Sequence, residues 1–226
     1  MIIIDKIFMK RTVFIIFLML FLHETMCKGQ IMMAVVKNNE AIAFWMKSQR
    51  KKDIGKVIHL LKESIAIDST YKLAYINTVQ FTTMLGEIKE AINVLELAIK
   101  HFPADANLYF VKGVLLAKLN EKDLSDEMFG RSITLFEKEF KETNKSSLLS
   151  SKAIVHAFKG DKNLAIIELL AAQNFFYDIT FNPFELRMHE LELEYISKFD
   201  RNRQIKEFWD PSFKIDRNEF VIDYDR

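Results

Sequence analysis

A chain of 226 residues with 32 Lys and Arg against 31 Asp and Glu carries a formal net charge of +1, and half of its residues are hydrophobic. Near-neutrality leaves no basic field to attract nucleic acid or anionic lipid. Six Gly and three Pro are too few for the turns of an all-β fold and suit long helices, while the length suits one domain with a sizeable core.

Residues 1–27 read as a secretory signal peptide. Lys6, Lys10 and Arg11 precede an uninterrupted apolar run from Val13 to Leu22, and a polar stretch with a small-residue exit follows. Ten helical residues span about 15 Å, half of a bilayer core, so the run is too short to cross a membrane. Thr25 with Cys27 places cleavage before Lys28, and Cys27 with Gly29 places it before Gln30. Lipidation of Cys27 is the alternative, although Glu24-Thr25-Met26 lacks the small residues that such processing favours. Loss of the segment removes three of the 32 bases and two of the 31 acids, leaving 29 of each. It also removes the single cysteine, so the mature chain is expected to hold neither disulfide nor thiol nucleophile. An exported protein without disulfides suits the bacterial periplasm or the outside of a bacterial cell.

The remaining apolar spacing is helical, and it repeats. Ile54, Val57, Ile58, Leu61, Ile65 and Ile67 make an amphipathic helix that closes a first unit near 38–71. A second unit near 72–105 carries Ala74-Tyr75, Gly86, Glu90-Ala91-Ile92, Ala98 and Pro103. Leu108-Tyr109, Asn120, Leu124-Ser125 and Ser132 follow 34 residues later, in a third unit near 106–145. Such a period marks helix pairs that cannot bury their apolar faces alone and stack on their neighbours. Gly86 suits a left-handed turn, and Ala91 and Ala98, seven apart, let helices approach closely. Pro103 ends a helix and Asp105 can cap the next. The third unit has Gly113 at a close approach, Asn120 at its turn and Phe129 between its two serines. Without a closing proline, its second helix is expected to run on through Phe136 and Phe140 to a loop at Thr143–Ser147. A fourth unit near 146–179 repeats the pattern with Ala153, Gly160-Asp161, Ala165 and Ala172. In residues 180–209, Asn182-Pro183 opens a helix near Phe184–Phe199, and a short one covers Arg203–Trp209. Tyr195, Ile196, Phe199, Ile205, Phe208 and Trp209 are expected to cover the last apolar face. The tail 210–226 is either draped along the stack or disordered.

Over about residues 38–179 this pattern resembles the tetratricopeptide repeat (TPR) family. Counted from Lys72 as position 1, Tyr75, Gly86, Ala91, Ala98 and Pro103 stand at positions 4, 15, 20, 27 and 32, the family's aromatic, turn glycine, two alanines and proline. The resemblance implies an all-α, right-handed α-solenoid of antiparallel helix pairs, about four TPR-like repeats, with C-terminal capping helices. In the first unit a strict register puts Trp45 where a small residue belongs. A turn two residues longer, around Arg50 to Asp53, puts Ala43 there instead, so Ala43 is the expected small residue.

In that family the first helix of each unit lines a concave groove. The corresponding residues are Asn39, Ile42 and Met46, then Leu73, Ile76, Asn77, Gln80 and Thr83. Asn107, Phe110, Val111 and Val114 follow, with Ser147, Ser150, Ser151 and Ile154 last. None is basic, so capture of a peptide carboxylate by Lys or Arg is not implied. Ile76, Phe110, Val114 and Ile154 form an expected apolar floor, with Asn77, Gln80 and Ser150 supplying polar groups. That surface suits an apolar or amphipathic protein or peptide segment. The chain's own tail, or the segment Ile31 to Val36, is an equally consistent occupant.

No catalytic constellation stands out. His23, His59, His101, His156 and His189 never lie three or four apart, so no helical metal pair exists. Serine elbow, phosphate loop and His-Glu-x-x-His are absent from the sequence. Glu190, Glu192 and Glu194 read as a solvated acidic face. The expectation is an exported, non-catalytic scaffold without cofactor or metal that binds a protein or peptide, with no nucleic acid and no membrane span. The competing reading is a permanent subunit of an envelope complex, held through its convex face and tail.

Overall fold

The computed structural model describes residues 31–145, 147–179 and 183–210, so the expected signal peptide and the tail beyond residue 210 lie outside the described residues. All regular structure within them is helical. In chain order come α1 (31–48), a short 3-10 turn (Lys51–Asp53), α2 (Ile54–Ile67), α3 (Lys72–Leu85) and α4 (Ile88–His101). Then follow α5 (Ala106–Lys118), α6 (Lys122–Thr143), α7 (Ser147–Lys159), α8 (Lys162–Ile179), α9 (Pro183–Ser197) and α10 (Arg201–Glu207). Packing divides the chain within α3 into two compact units, Met1–Phe81 and Thr82–Arg226.

In the first unit α1 lies against α2, and one hydrogen bond fixes their register. The buried Ser64 hydroxyl donates to the Ala34 carbonyl at 2.6 Å, across 30 residues. The same bond recurs in the second unit, where Ser132 donates to the Ala106 carbonyl at 2.8 Å across 26 residues. Ala34 is therefore the counterpart of Ala106, and Ala41, seven residues on, is the counterpart of Gly113. The expectation for Ala43 is corrected: Ala41 is the fully buried small residue and Ala43 is exposed. The two serine bonds differ by four residues in span, so the turn after α1 is four residues longer than in the later unit, not two. Gln49 ends α1 with φ of 44°, and the 3-10 turn takes up the added length.

Within the second unit three inter-helix turns share one geometry. Gly86, Asn120 and Gly160 have φ of 86°, 62° and 109°. In each turn the next amide closes back on the helix: Glu87 to the Thr82 carbonyl at 3.1 Å, Glu121 to Leu116 at 3.0 Å, and Asp161 to His156 at 2.9 Å. That bond satisfies a carbonyl the helix end leaves free, and it needs a left-handed residue, which Gly and Asn adopt at least cost. Asp105 caps α5 by accepting from the Asn107 amide at 3.0 Å, as its place after Pro103 suggests. The alanines expected at close approaches, Ala91, Ala98, Ala153, Ala165 and Ala172, are all fully buried. Gly113 is tighter still. A Cβ built there would stand 2.7 Å from the ring of the fully buried Phe129. The extension of α6 through Phe136 and Phe140 occurs as expected, ending at Asn144 with φ of 51°.

The end of the second unit departs from expectation. Helix α9 packs on α8 and closes the stack, but α10 packs on α5 and α7. Ile205 and Phe208 therefore cover the first helices of the third and fourth repeats, not the last apolar face.

Candidate functional site

First-helix residues of the first unit form a partly open inner face. The Asn77 side-chain amide donates to Asn38 Oδ1 at 2.7 Å, which places the inner faces of α1 and α3 side by side. Asn38 is 1% exposed and donates in turn to Asn39 Oδ1 at 3.3 Å. A buried amide pair of this kind satisfies polar groups that would otherwise cost stability. Trp45 meets Phe81 edge to face at 5.3 Å. Around these contacts Ile42, Trp45, Ile76, Asn77 and Gln80 stay half-buried, offering apolar surface beside amide groups. Met46, assigned to this face by the strict register, is 69% exposed and off it, because the four-residue offset moves Ile42 into its place.

In the second unit the expected groove residues come together but are covered. Phe110 stands 5.1 Å from Phe158, edge on, and 6.2 Å from Phe129. Val114 is fully buried, and Ile154 packs against the same cluster. Ser150 is buried and donates to Glu192 Oε2 of α9 at 2.8 Å. Over Phe110 and Phe158 lies the ring of Phe208, at 6.3 and 6.2 Å and nearly perpendicular to both. Ile205 of α10 is 7% exposed beside it. Lys118, in the last turn of α5, donates to the Phe208 carbonyl at 2.5 Å and to the Lys206 carbonyl at 3.2 Å. At the other end of α10, Arg201 Nε donates to the Phe158 carbonyl at 2.5 Å. Burial pushes the Lys118 ammonium below its ordinary pKa, partly offset by the nearby Asp210 carboxylate.

Nothing in the sequence singles out Asn38, Lys118 or Arg201, and Trp45 stands out there only as too large for a small-residue position. Lys118 carries a weak signal, since a lysine in a last helical turn reads first as a partner of its own helix dipole. A better clue is the pairing of Ile205 with Phe208, three apart in the short and otherwise polar segment 201–208. Buried Lys152 was missed too; it bridges Glu168 at 2.9 Å and Glu137 at 3.4 Å, joining α6, α7 and α8. Among the described residues there is no cluster of His, Cys, Asp and Glu suited to a metal ion. No helix among them is long and apolar enough to cross a membrane.

These helix pairs, with their shared turns and serine-to-carbonyl bonds, give the chain a tetratricopeptide-type fold. No family model matches the sequence, and no curated protein matches it. Solved structures resemble it at low identity. The APC/C hetero-tetramer Cut9–Hcn1 aligns at 19% identity over 73% of this chain, with a TM-score of 0.48, and the chain spans 30% of that protein's length. YrrB, a TPR protein with an unusual peptide-binding site, aligns at 16% over 77% of this chain and 83% of its own, with a TM-score of 0.41. PilW, a widely conserved type IV pilus biogenesis factor, aligns at 16% over 77% of this chain and 78% of its own, with a TM-score of 0.46. At these values the repeat assignment rests on the chain's own turns and hydrogen bonds.

Proposed function

We propose that the protein is an exported, non-catalytic scaffold that holds an apolar or amphipathic segment of another protein. The observation that carries this reading is the half-open inner face of α1 and α3. There Ile42, Trp45 and Ile76 supply apolar surface while Asn77 and Gln80 can bond a bound backbone. Such a surface gains affinity from burial and takes little from charge, so binding should vary little with salt.

The test is capture of partners from the native host's envelope by the full chain and two variants, read by mass spectrometry. A partner retained by the wild type and by Lys89→Glu but lost from Ile76→Glu supports the inner-face reading. A partner that stays with Ile76→Glu and is lost on truncation after Asp210 favours the permanent-subunit reading. One observation lends that second reading weight: Leu164, Ile167 and Leu170 stand three apart on α8 and are 39%, 61% and 45% exposed. Export is tested separately by the mass of the native protein, which should start at Lys28 or Gln30. A chain retaining residues 1–27 overturns export, and a lipid on Cys27 makes the protein membrane-anchored.

A further inference from the structure

Helix α10 has only seven residues, too few to be stable alone in water. Ile205 is its one buried residue, and Phe208 just beyond it is half-buried, while Asn202, Arg203 and Lys206 face solvent. Its ends are held from outside, by Lys118 at its last carbonyls and by Arg201 reaching the Phe158 carbonyl. Beneath it, Val114, Phe129, Ala153 and Phe158 of α5, α6 and α7 are buried in one cluster with Phe110 packed against them, and α10 adds Ile205 and Phe208 to that cluster. Phe199, just beyond α9, also meets Phe158, edge to face at 5.0 Å. A short polar helix held by two apolar anchors and a capping cation has the form of a bound peptide. Elements with so little burial open at lower free energy than the core they rest on.

We propose that α10 is an internal ligand of the α5–α7 groove. The external partner of that groove is then an amphipathic helix of another protein. It carries an aliphatic and an aromatic residue three apart near its C-terminus, and it delivers its last carbonyls to Lys118. The proposal rests on the reading of the chain as a protein-binding scaffold but concerns a different surface from the α1–α3 face.

The probe is a fluorescent peptide with the sequence of residues 200–210, amidated, titrated by anisotropy into the full chain. Wild type, with α10 seated, should bind it at least tenfold more weakly than the Ile205→Asp/Phe208→Asp chain, whose groove is vacated. Adding Phe110→Ala to that chain, or replacing both anchors in the peptide by Ala, should abolish the gain. Ile76→Glu should leave peptide affinity unchanged, so loss of an inner-face partner and loss of this peptide are separate outcomes. No gain in a vacated chain of normal helicity overturns the proposal. So does a vacated chain that loses helicity well beyond seven residues, because α10 is then part of the core. Hydrogen exchange on the wild type gives an independent reading. Amides of α10 should exchange at least tenfold faster than those of α5 and α7, and equal protection overturns the proposal. A dimer that forms with concentration and is lost in Phe208→Ala also overturns it, by making the occupant a second copy.

Discussion

Gly113 and Gly130 show how one atom can change sign with its surroundings. A Cβ at Gly113 meets the Phe129 ring at 2.7 Å, and Phe129 is fully buried. Overpacking of this kind costs about 1 to 3 kcal/mol, against a helix-propensity gain of up to about 1 kcal/mol. Gly113→Ala should therefore lower stability by about 1 to 2 kcal/mol in chemical denaturation. At Gly130, midway along α6, an added Cβ meets nothing within 4 Å. Gly130→Ala should raise stability by about 0.5 to 1 kcal/mol, because only the backbone entropy changes. Shifts of the same sign at both would refute the packing assigned to Phe129. The glycine at the close approach was legible in the sequence because its neighbours fixed the register. Gly86, Asn120 and Gly160 were legible for a different reason: a left-handed turn admits few residue types. Lys118 was not, since nothing local distinguishes a lysine that caps its own helix from one that caps a helix 90 residues away.

At the level of elements, serine bonds between paired helices recur and set register. Ser64 and Ser132 each reach the carbonyl of a buried alanine in the preceding helix. Removing either hydroxyl should cost about 1 kcal/mol, the usual net value of such a bond. Ser151, half-buried and bonded among the described residues to the Ser147 carbonyl of its own helix, serves as the control, and Ser151→Ala should change little. Equal small losses at all three positions would mean the inter-helix bonds contribute nothing special. These bonds also explain the misplacement of Ala43. The 34-residue period ties each second helix to the next unit, but it does not reach the turn inside the first unit, whose register is set by contacts such as Ser64 on Ala34. Gln49 to Asp53 can lengthen without disturbing either helix, so spacing alone could not reveal the four-residue offset. The address of α10 was hidden for a related reason. An amphipathic segment with anchors at Ile205 and Phe208 fits any apolar groove, and only packing decides which one.

For the molecule as a whole, His156 ties stability to pH. It is 7% exposed and its Nδ1 has no hydrogen-bond partner among the described residues. Burial holds its pKa below the ordinary 6.5; Glu168 and Asp161 oppose that, while Lys152 and Lys159 reinforce it. The unfolded chain then takes up the proton first as pH falls. Stability is complete above about pH 6.5 and is lost below it until the folded-state value is passed. The wild type should therefore lose more melting temperature between pH 7.5 and 5.5 than His156→Leu does, and parallel losses would assign the effect elsewhere. A different consequence follows from the position of α10 in the chain. Arg201 reaches Phe158 across 43 residues, and Lys118 reaches Phe208 across 90, whereas α5, α6 and α7 each pack on their immediate neighbours. At a synthesis rate of about 5 to 20 residues per second, those 43 residues take roughly 2 to 9 seconds to make. For that interval the growing chain holds every residue of the α5–α7 groove but not yet the segment that covers it. A protein met during translation thus encounters bare Phe110 and Phe158, and one met afterwards encounters Phe208.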